Sequence, residues 1–114
     1  MNSRELAKFA QENNVEMVDL KFCDLLGTWQ HLTVPFHQLT DETLAQGFAF
    51  DGSSIRGWKG IEESDMILMP DLSSTRLDPF TRVPTVSIIC NVHIPENLAA
   101  YDRDPREILR KAVV

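Results

Sequence analysis

The residues best suited to binding or catalysis lie together in one stretch of the chain, FDGSSIRGWKGIEESDM, which runs from Phe50 to Met66. This stretch contains three glycines, three serines and four carboxylates. Residues 51–65 show neither helical nor strand periodicity. A loop of this length inside a folded domain is uncommon, and it is usually either a binding loop or a disordered segment. The composition therefore predicts a binding loop.

The same loop carries apolar side chains that a flexible tether does not need. Ile55, Trp58 and Ile61 each require a surface to pack on. That surface could belong to another chain. Alternatively, Trp58 folds back onto the core of its own domain and Asp51 forms a turn with Gly52. The residues alone leave both interpretations open.

Other candidate chemistry is weaker. The three histidines, His31, His37 and His93, are scattered without a spacing that suits a shared metal ion, so no metal site is expected in this chain. The chain has no GxxxxGK phosphate loop. Cys23 and Cys90 are interpreted as two buried thiols, because two cysteines in a chain of this length do not form a disulfide framework.

Length and charge exclude several classes of protein. With 114 residues, of which 43% are hydrophobic, the chain can bury one core. Its 17 acidic and 11 basic residues give a net charge of -6, which argues against partners such as nucleic acid or an anionic membrane. No apolar run approaches the roughly 20 residues needed to cross a bilayer, and no signal peptide is recognisable. We expect a soluble, cytoplasmic protein.

Regular elements flank the candidate loop on both sides. Hydrophobic periodicity predicts a first helix capped by Ser3, with Leu6, Phe9 and Ala10 on one face and a stop at Asn13 and Asn14. Alternating apolar residues predict two paired strands around the turn at Gly27. Further along the chain we expect a brief helix at Thr40–Gln46 closed by Gly47, and strands at 48–50, 66–69 and 85–94. These elements predict an α+β fold with a mixed or antiparallel sheet.

The last residues predict another helix. Asp104, Pro105 and Glu107 form a strong helix start, and an apolar stripe of Ile108, Leu109 and Ala112 follows. A helix of about three turns is marginal unless something packs against it. One interpretation is a natural C-terminal helix docked on the domain. The other, which we favour, is a polypeptide cut inside the first helix of a following domain.

Four spaced blocks of the sequence resemble the N-terminal signature of bacterial-type glutamine synthetases. The first block is Phe50–Ser54, followed by Glu63, Ser64, Asp65 and Leu68. The other three blocks are Met69–Asp71, Leu77–Phe80 and Tyr101–Arg106. A DGSS tetrapeptide alone is weak, but four blocks in the same order are hard to obtain by chance. The resemblance covers essentially the whole chain.

The resemblance implies a fold and a division of the chain. The N-terminal domain of this family is a β-grasp, a small sheet curled around one short packed helix, which agrees with the elements predicted above together with the N-terminal helix. Residues 1–101 would form this domain. Residues 102–114 would begin the first helix of a truncated C-terminal catalytic domain.

The resemblance also implies an activity. Glutamine synthetases join ammonia to glutamate through an acyl phosphate made from ATP, with Mg²⁺ or Mn²⁺, in homo-oligomeric rings whose active sites lie between neighbouring subunits. By this resemblance, Asp51 would bind the ammonium ion and support its deprotonation, Ser54 would add a hydroxyl, and Trp58 would pack in the shared cleft. ATP and metal would bind the C-terminal domain, so the 114-residue chain alone is expected to bind neither and to be inactive. The competing hypothesis is a stand-alone β-grasp module that binds a partner protein.

Overall fold

The computed structural model describes residues 2–24, 27–51, 65–94, 100–101 and 104–112, and for Asp51 and Asp65 it describes the backbone. Within these residues the chain forms three α-helices and six strands. The helices are α1 (Ser3–Glu12), α2 (Asp41–Gln46) and α3 (Pro105–Ala112). The strands are β1 (Met17–Cys23), β2 (Trp29–Pro35), β3 (Phe48–Asp51), β4 (Asp65–Pro70), β5 (Arg76–Leu77) and β6 (Thr85–His93).

The six strands form one mixed sheet. Its main order is β2-β1-β6-β4-β3, and β5 pairs with the first part of β6. The central pair, β1 and β6, is parallel, whereas the other pairs are antiparallel. The predicted α+β class with a mixed or antiparallel sheet is therefore confirmed, and the sheet is mixed.

The core lies on one face of this sheet because apolar residues alternate along its strands. Register places Val18 beside both Val34 and Val86, so three neighbouring strands bury their side chains at the same level. The buried apolar cluster consists of Val18, Leu20, Phe22, Val34, Met66, Leu68, Val86, Ile88, Cys90, Val92 and Tyr101. The period-two pattern of the sequence therefore identifies the face that is buried.

Helix α1 confirms the predicted first helix, but its cap differs from the predicted one. Leu6 and Ala10 are buried and Phe9 packs against the core, as their spacing predicted. The prediction that Ser3 is the cap was wrong: Asn2 caps the helix, and its side-chain oxygen accepts the backbone N–H of Glu5 at 2.8 Å. Both residue types favour this position, so the sequence could not choose between adjacent ones.

Helix α2 and the residue after it fix the entry into β3. The predicted start at Thr40 was one residue early: the helix begins at Asp41, and Thr40 caps it by accepting the backbone N–H of Thr43. Gly47 ends the helix with φ +82°, a conformation that L side chains rarely adopt. A Cβ atom there would lie 2.8 Å from the carbonyl oxygen of Leu68. The missing side chain therefore lets the chain pass closely over β4 before β3 begins.

Two short elements between β4 and β6 were not predicted from the sequence. These are the 3-10 turn at Leu72–Ser74 and the two-residue strand β5. Neither is long enough to show periodicity, and each depends on hydrogen bonds to other parts of the sheet. No helix in the described residues is both long and apolar enough to cross a membrane.

Candidate functional site

The backbone of Asp51 forms the last residue of β3, directly opposite Asp65 at the start of β4. Strand β3 is the last in the main order of the sheet, so it has one neighbour among the described strands. The end of β3 at Asp51 and the start of β4 at Asp65 are therefore neighbouring positions of one strand pair. Ser54 and Trp58 lie outside the described residues.

Two phenylalanines hold β3 in place. Phe48 and Phe50 pack against the buried cluster, and the ring centroids of Phe50 and Phe22 are 5.0 Å apart. In the register with β4, Phe50 lies opposite the fully buried Met66. Tilted aromatic pairs at this distance add to the energy of burial. The backbone position of Asp51 is therefore fixed by the packing of the residue immediately before it.

A polar cluster lies where α3 meets the sheet. The Asp104 side chain is buried; its Oδ2 accepts the backbone N–H of Val92 at 3.0 Å, and its Oδ1 accepts that of Arg106 at 3.2 Å. Burial raises the pKa of Asp104, although both donated hydrogen bonds act in the opposite direction. The predicted helix start is confirmed, and the capping carboxylate also binds β6.

Arg106 extends this cluster to the turn after β4. Its guanidinium donates to Asp71 Oδ2 at 2.7 Å and to Asn91 Oδ1 at 2.9 Å. The Ser73 hydroxyl and the Arg106 guanidinium lower the pKa of Asp71. Together, the ion pair with Asp71 and the hydrogen bond to Asn91 connect α3, the turn after β4, and β6, which are far apart in sequence.

Another polar cluster lies on the face of the sheet opposite the core. Asp19 Oδ1 lies 2.7 Å from His31 Nδ1 and accepts the Thr33 hydroxyl at 3.2 Å, while Lys21 Nζ is 4.0 Å from Asp19 Oδ2. In the sequence, these residues form only the polar half of a strand pattern. The strand pairing predicted around Gly27 could have indicated that these side chains contact one another, because residues on the same face of a hairpin are neighbours across its two strands.

The two cysteines form no disulfide in the part of the chain that the structure describes. Cys23 and Cys90 are free thiols. Burial raises the pKa of Cys90 to about 12 and also raises that of the half-buried Cys23, so both remain protonated at neutral pH. The prediction that both are buried is correct for Cys90 only. Among the described residues, no three His, Cys, Asp or Glu side chains are placed to share a metal ion.

Comparisons with known proteins place this chain in one family. The family model described as the β-grasp domain of glutamine synthetase matches residues 14–95. The glutamine synthetase of Microchaete diplosiphon is 49% identical over 110 residues, which are 96% of this chain and 23% of that protein. The glutamine synthetase of Escherichia coli is 47% identical over 112 residues, which are 98% of this chain and 24% of that protein.

Solved structures agree with the sequence comparisons. The glutamine synthetase of Plasmodium falciparum superposes with a TM-score of 0.85 at 31% identity, over 97% of this chain and 22% of that one. The chain therefore spans about a quarter of the length of the relatives that it matches. Because the family model, the sequence identity and the fold all agree, this chain belongs to the glutamine synthetase family and carries its β-grasp domain.

Proposed function

We propose that this chain acts as the N-terminal portion of a glutamine synthetase, which ligates ammonia to glutamate with ATP. In this proposal, the loop that starts at Asp51 enters the active site of a neighbouring subunit in a homo-oligomeric ring. The observation that carries the proposal is the family match over nearly the whole chain, including the run from Phe50 to Ser54. The division into a β-grasp domain at 1–101 and the start of a catalytic domain at 102–114 belongs to the same proposal.

The position of Asp51 supports its part in the proposal. Its backbone lies at the end of a strand that is anchored by Phe50 and that ends the main order of the sheet. A loop that starts from such a point has a rigid base at the edge of the domain. Rigid bases of this kind are what binding loops need, because they fix the loop ends while the tip contacts a partner.

The chemistry of Asp51 favours ammonium binding over proton removal. A free aspartate has a pKa of about 3.9, so the carboxylate is charged at neutral pH and is a poor base for ammonium. A charged carboxylate also stabilises the cation that it binds. We therefore assign Asp51 first to the capture of ammonium and only second to its deprotonation. Ser54 would add a hydroxyl acceptor to this site, and Trp58 would pack in the cleft between subunits.

The complete enzyme would use ATP and Mg²⁺ or Mn²⁺. The described residues of this chain offer no set of three carboxylate, imidazole or thiol ligands for such an ion. By the family resemblance, we assign nucleotide and metal binding to parts of the protein beyond this chain. It follows that the 114-residue chain by itself would not catalyse the reaction.

The test is the variant Asp51→Asn in the complete protein, with turnover measured at limiting ammonium. Loss of a charged ligand for ammonium is expected to lower turnover by about ten- to hundredfold, because charge-assisted contacts contribute roughly 1.5–3 kcal/mol. High ammonium should restore part of the loss. Size-exclusion chromatography should show unchanged assembly.

Asp41→Asn is the matched control. Asp41 is an exposed aspartate in the first turn of α2, and its loss removes the same charge from the same domain. Its turnover should equal that of the unmodified protein. If Asp51→Asn retained full turnover at limiting ammonium, Asp51 would have no part in the reaction.

A further inference from the structure

The segment that leads into α3 is bound to the last part of β6. The pairing of β1 with β6 ends at Ile89. Beyond that point, Tyr101 donates its backbone N–H to the carbonyl oxygen of Val92 at 2.8 Å, and the Asp104 carboxylate accepts the backbone N–H of Val92 at 3.0 Å. Tyr101 is itself part of the buried cluster. Both backbone groups of Val92 are therefore bound by residues that directly precede the helix.

Arg106 fixes the direction in which the helix leaves the sheet. Its guanidinium donates to Asp71 Oδ2 at 2.7 Å and to Asn91 Oδ1 at 2.9 Å. A guanidinium is planar and its N–H groups have fixed directions, so two hydrogen bonds to two different elements define an angle as well as a distance. We call the contacts of Tyr101, Asp104 and Arg106 with the sheet the α3 anchor.

Polar contacts, rather than apolar burial, orient this helix. Ile108 and Leu109 follow Arg106 closely and are exposed. The side chains of Arg106 and Asp71 are 35% and 28% exposed, and ion pairs with this much exposure contribute little to stability. Their geometry is nevertheless specific, because Arg106 binds two elements at once. The pair therefore suits a role in orientation better than a role in stability.

The α3 anchor lies close enough to Asp51 to control its position. Register places Val92 beside Leu68 and Leu68 beside Phe48, and Asp51 lies three residues further along β3. Two strand spacings and three residues of strand put the backbone of Asp51 about 14 Å from that of Val92. A rotation of the sheet about the anchor by about 5° would move Asp51 by roughly 1 Å, and a misplacement of that size can cost an enzyme about a hundredfold in rate.

We propose that Arg106 is a positioning residue for the ligase reaction. By fixing the angle between α3 and the sheet, Arg106 holds Asp51 in place at the ammonium site of the neighbouring subunit. This inference rests on the proposed function, in which α3 begins the catalytic domain and Asp51 captures ammonium. Arg106 touches no substrate and acts through Asp51. Its loss should therefore weaken the capture of ammonium and leave nucleotide binding unchanged, since the nucleotide is assigned to other parts of the protein.

The test is Arg106→Gln in the complete protein, with KM measured separately for ammonium, glutamate and ATP. The KM for ammonium should rise about five- to tenfold, while kcat at saturating ammonium and the other two KM values should change less than about twofold. A merely structural role would lower the fraction of active enzyme, and would thus reduce kcat and leave every KM unchanged.

Two related variants test the geometry of the pair. Asp71→Asn removes the other half of the ion pair and should raise the same KM by a similar factor. Arg106→Lys should restore part of the loss, because a lysine can keep the ion pair with Asp71 but cannot reproduce both directed hydrogen bonds. A rise for Arg106→Gln without any rise for Asp71→Asn would argue against the pair as the positioning element.

Arg110→Gln is the matched control. It removes the same charge from the same helix, but the Arg110 guanidinium binds Glu107 within α3 and is 71% exposed. All three KM values should stay unchanged. The inference would be overturned if Arg110→Gln raised the KM for ammonium as much as Arg106→Gln does, or if Arg106→Gln raised the KM for ATP as much as that for ammonium.

A double variant separates this inference from the proposed function. Because Arg106 acts through Asp51, adding Arg106→Gln to Asp51→Asn should raise the KM for ammonium by less than about twofold more. If Asp51→Asn slows turnover at limiting ammonium but Arg106→Gln leaves the KM for ammonium unchanged, the positioning role is wrong and the proposed function stands. If Asp51→Asn itself has no effect, the proposed role of Asp51 fails, and the inference fails with it.

Discussion

Helices α1 and α3 are attached to the same sheet by opposite kinds of contact. Helix α1 buries Leu6 and Ala10, which are 1% and 5% exposed. Helix α3 leaves its apolar residues Ile108 and Leu109 at 48% and 62% exposure and is held instead by the carboxylate of Asp104. Apolar burial depends little on pH or exact geometry, whereas a buried carboxylate depends on both. The two ends of the described chain should therefore respond differently to mutation and to acid.

The largest effect is expected from Leu6→Ala in α1. The change removes a fully buried side chain and leaves a cavity, which should lower the free energy of unfolding by about 3 kcal/mol. Urea denaturation of the chain measures this loss. Lys8→Ala, at an exposed position of the same helix, should change it by less than about 0.5 kcal/mol. Equal effects at both positions would mean that α1 is not held by its apolar face.

A smaller loss, about 2 kcal/mol, is expected from Asp104→Ala. This change removes the cap of α3 and leaves the backbone N–H of the buried Val92 without that acceptor. Urea denaturation again gives the free energy, and hydrogen exchange of the Val92 amide should become faster. Asp78 is the matched control, because its carboxylate accepts the backbone N–H of Phe80 in an exposed turn. Asp78→Ala should cost less than half as much, and an equal cost would argue against a special role for the buried carboxylate.

The smallest effect is expected from Asp71→Asn, at about 1 kcal/mol or less, because the pair with Arg106 is about one-third exposed. The pKa of Asp71 is lowered in the folded chain, so the stability it contributes is present above its ordinary value of 3.8 and is lost as the pH falls below that value. Denaturation at a series of pH values should show the deficit of the variant at pH 7 and its disappearance in acid.

Asp104 should show the opposite dependence on pH. Its folded pKa is raised from 3.8, so proton uptake favours the folded chain and its contribution is lost as the pH rises through the raised value. The deficit of Asp104→Ala should therefore grow as the pH is lowered, while that of Asp71→Asn shrinks. Parallel pH curves for the two variants would show that the buried and exposed carboxylates of this cluster do not differ.

Much of the fold could be predicted from local pattern. The alternation of Val18, Leu20 and Phe22 predicted β1 and its buried face, and the residues from Thr40 to Gln46 predicted α2 with its end at Gly47. The Asp104 cap was also visible, because an aspartate followed by Pro105 and Glu107 is a strong local signal. These signals need only neighbouring residues, so the sequence contains them in full.

The candidate site was less predictable from its own residues. Without the family resemblance, the loop after Asp51 had two open interpretations, and its proposed partner lies outside the chain. The burial of Asp19 was not foreseen either, since a charged residue in a strand pattern is normally assigned to the exposed face. Its burial depends on His31 and Thr33, which approach only when the hairpin forms.

The sequence by itself determined the longer helices and strands, the apolar face of each, and the family to which the chain belongs. Tertiary structure decided the parallel pairing of β1 with β6, the second hydrogen bond of Asp104, to Val92, and the cluster of Asp19 with His31 and Thr33. The physical reason is how far apart in the sequence the interacting residues lie. Helical turns, caps and strand alternation arise between residues a few positions apart, whereas these three features join residues that only the folded sheet brings together.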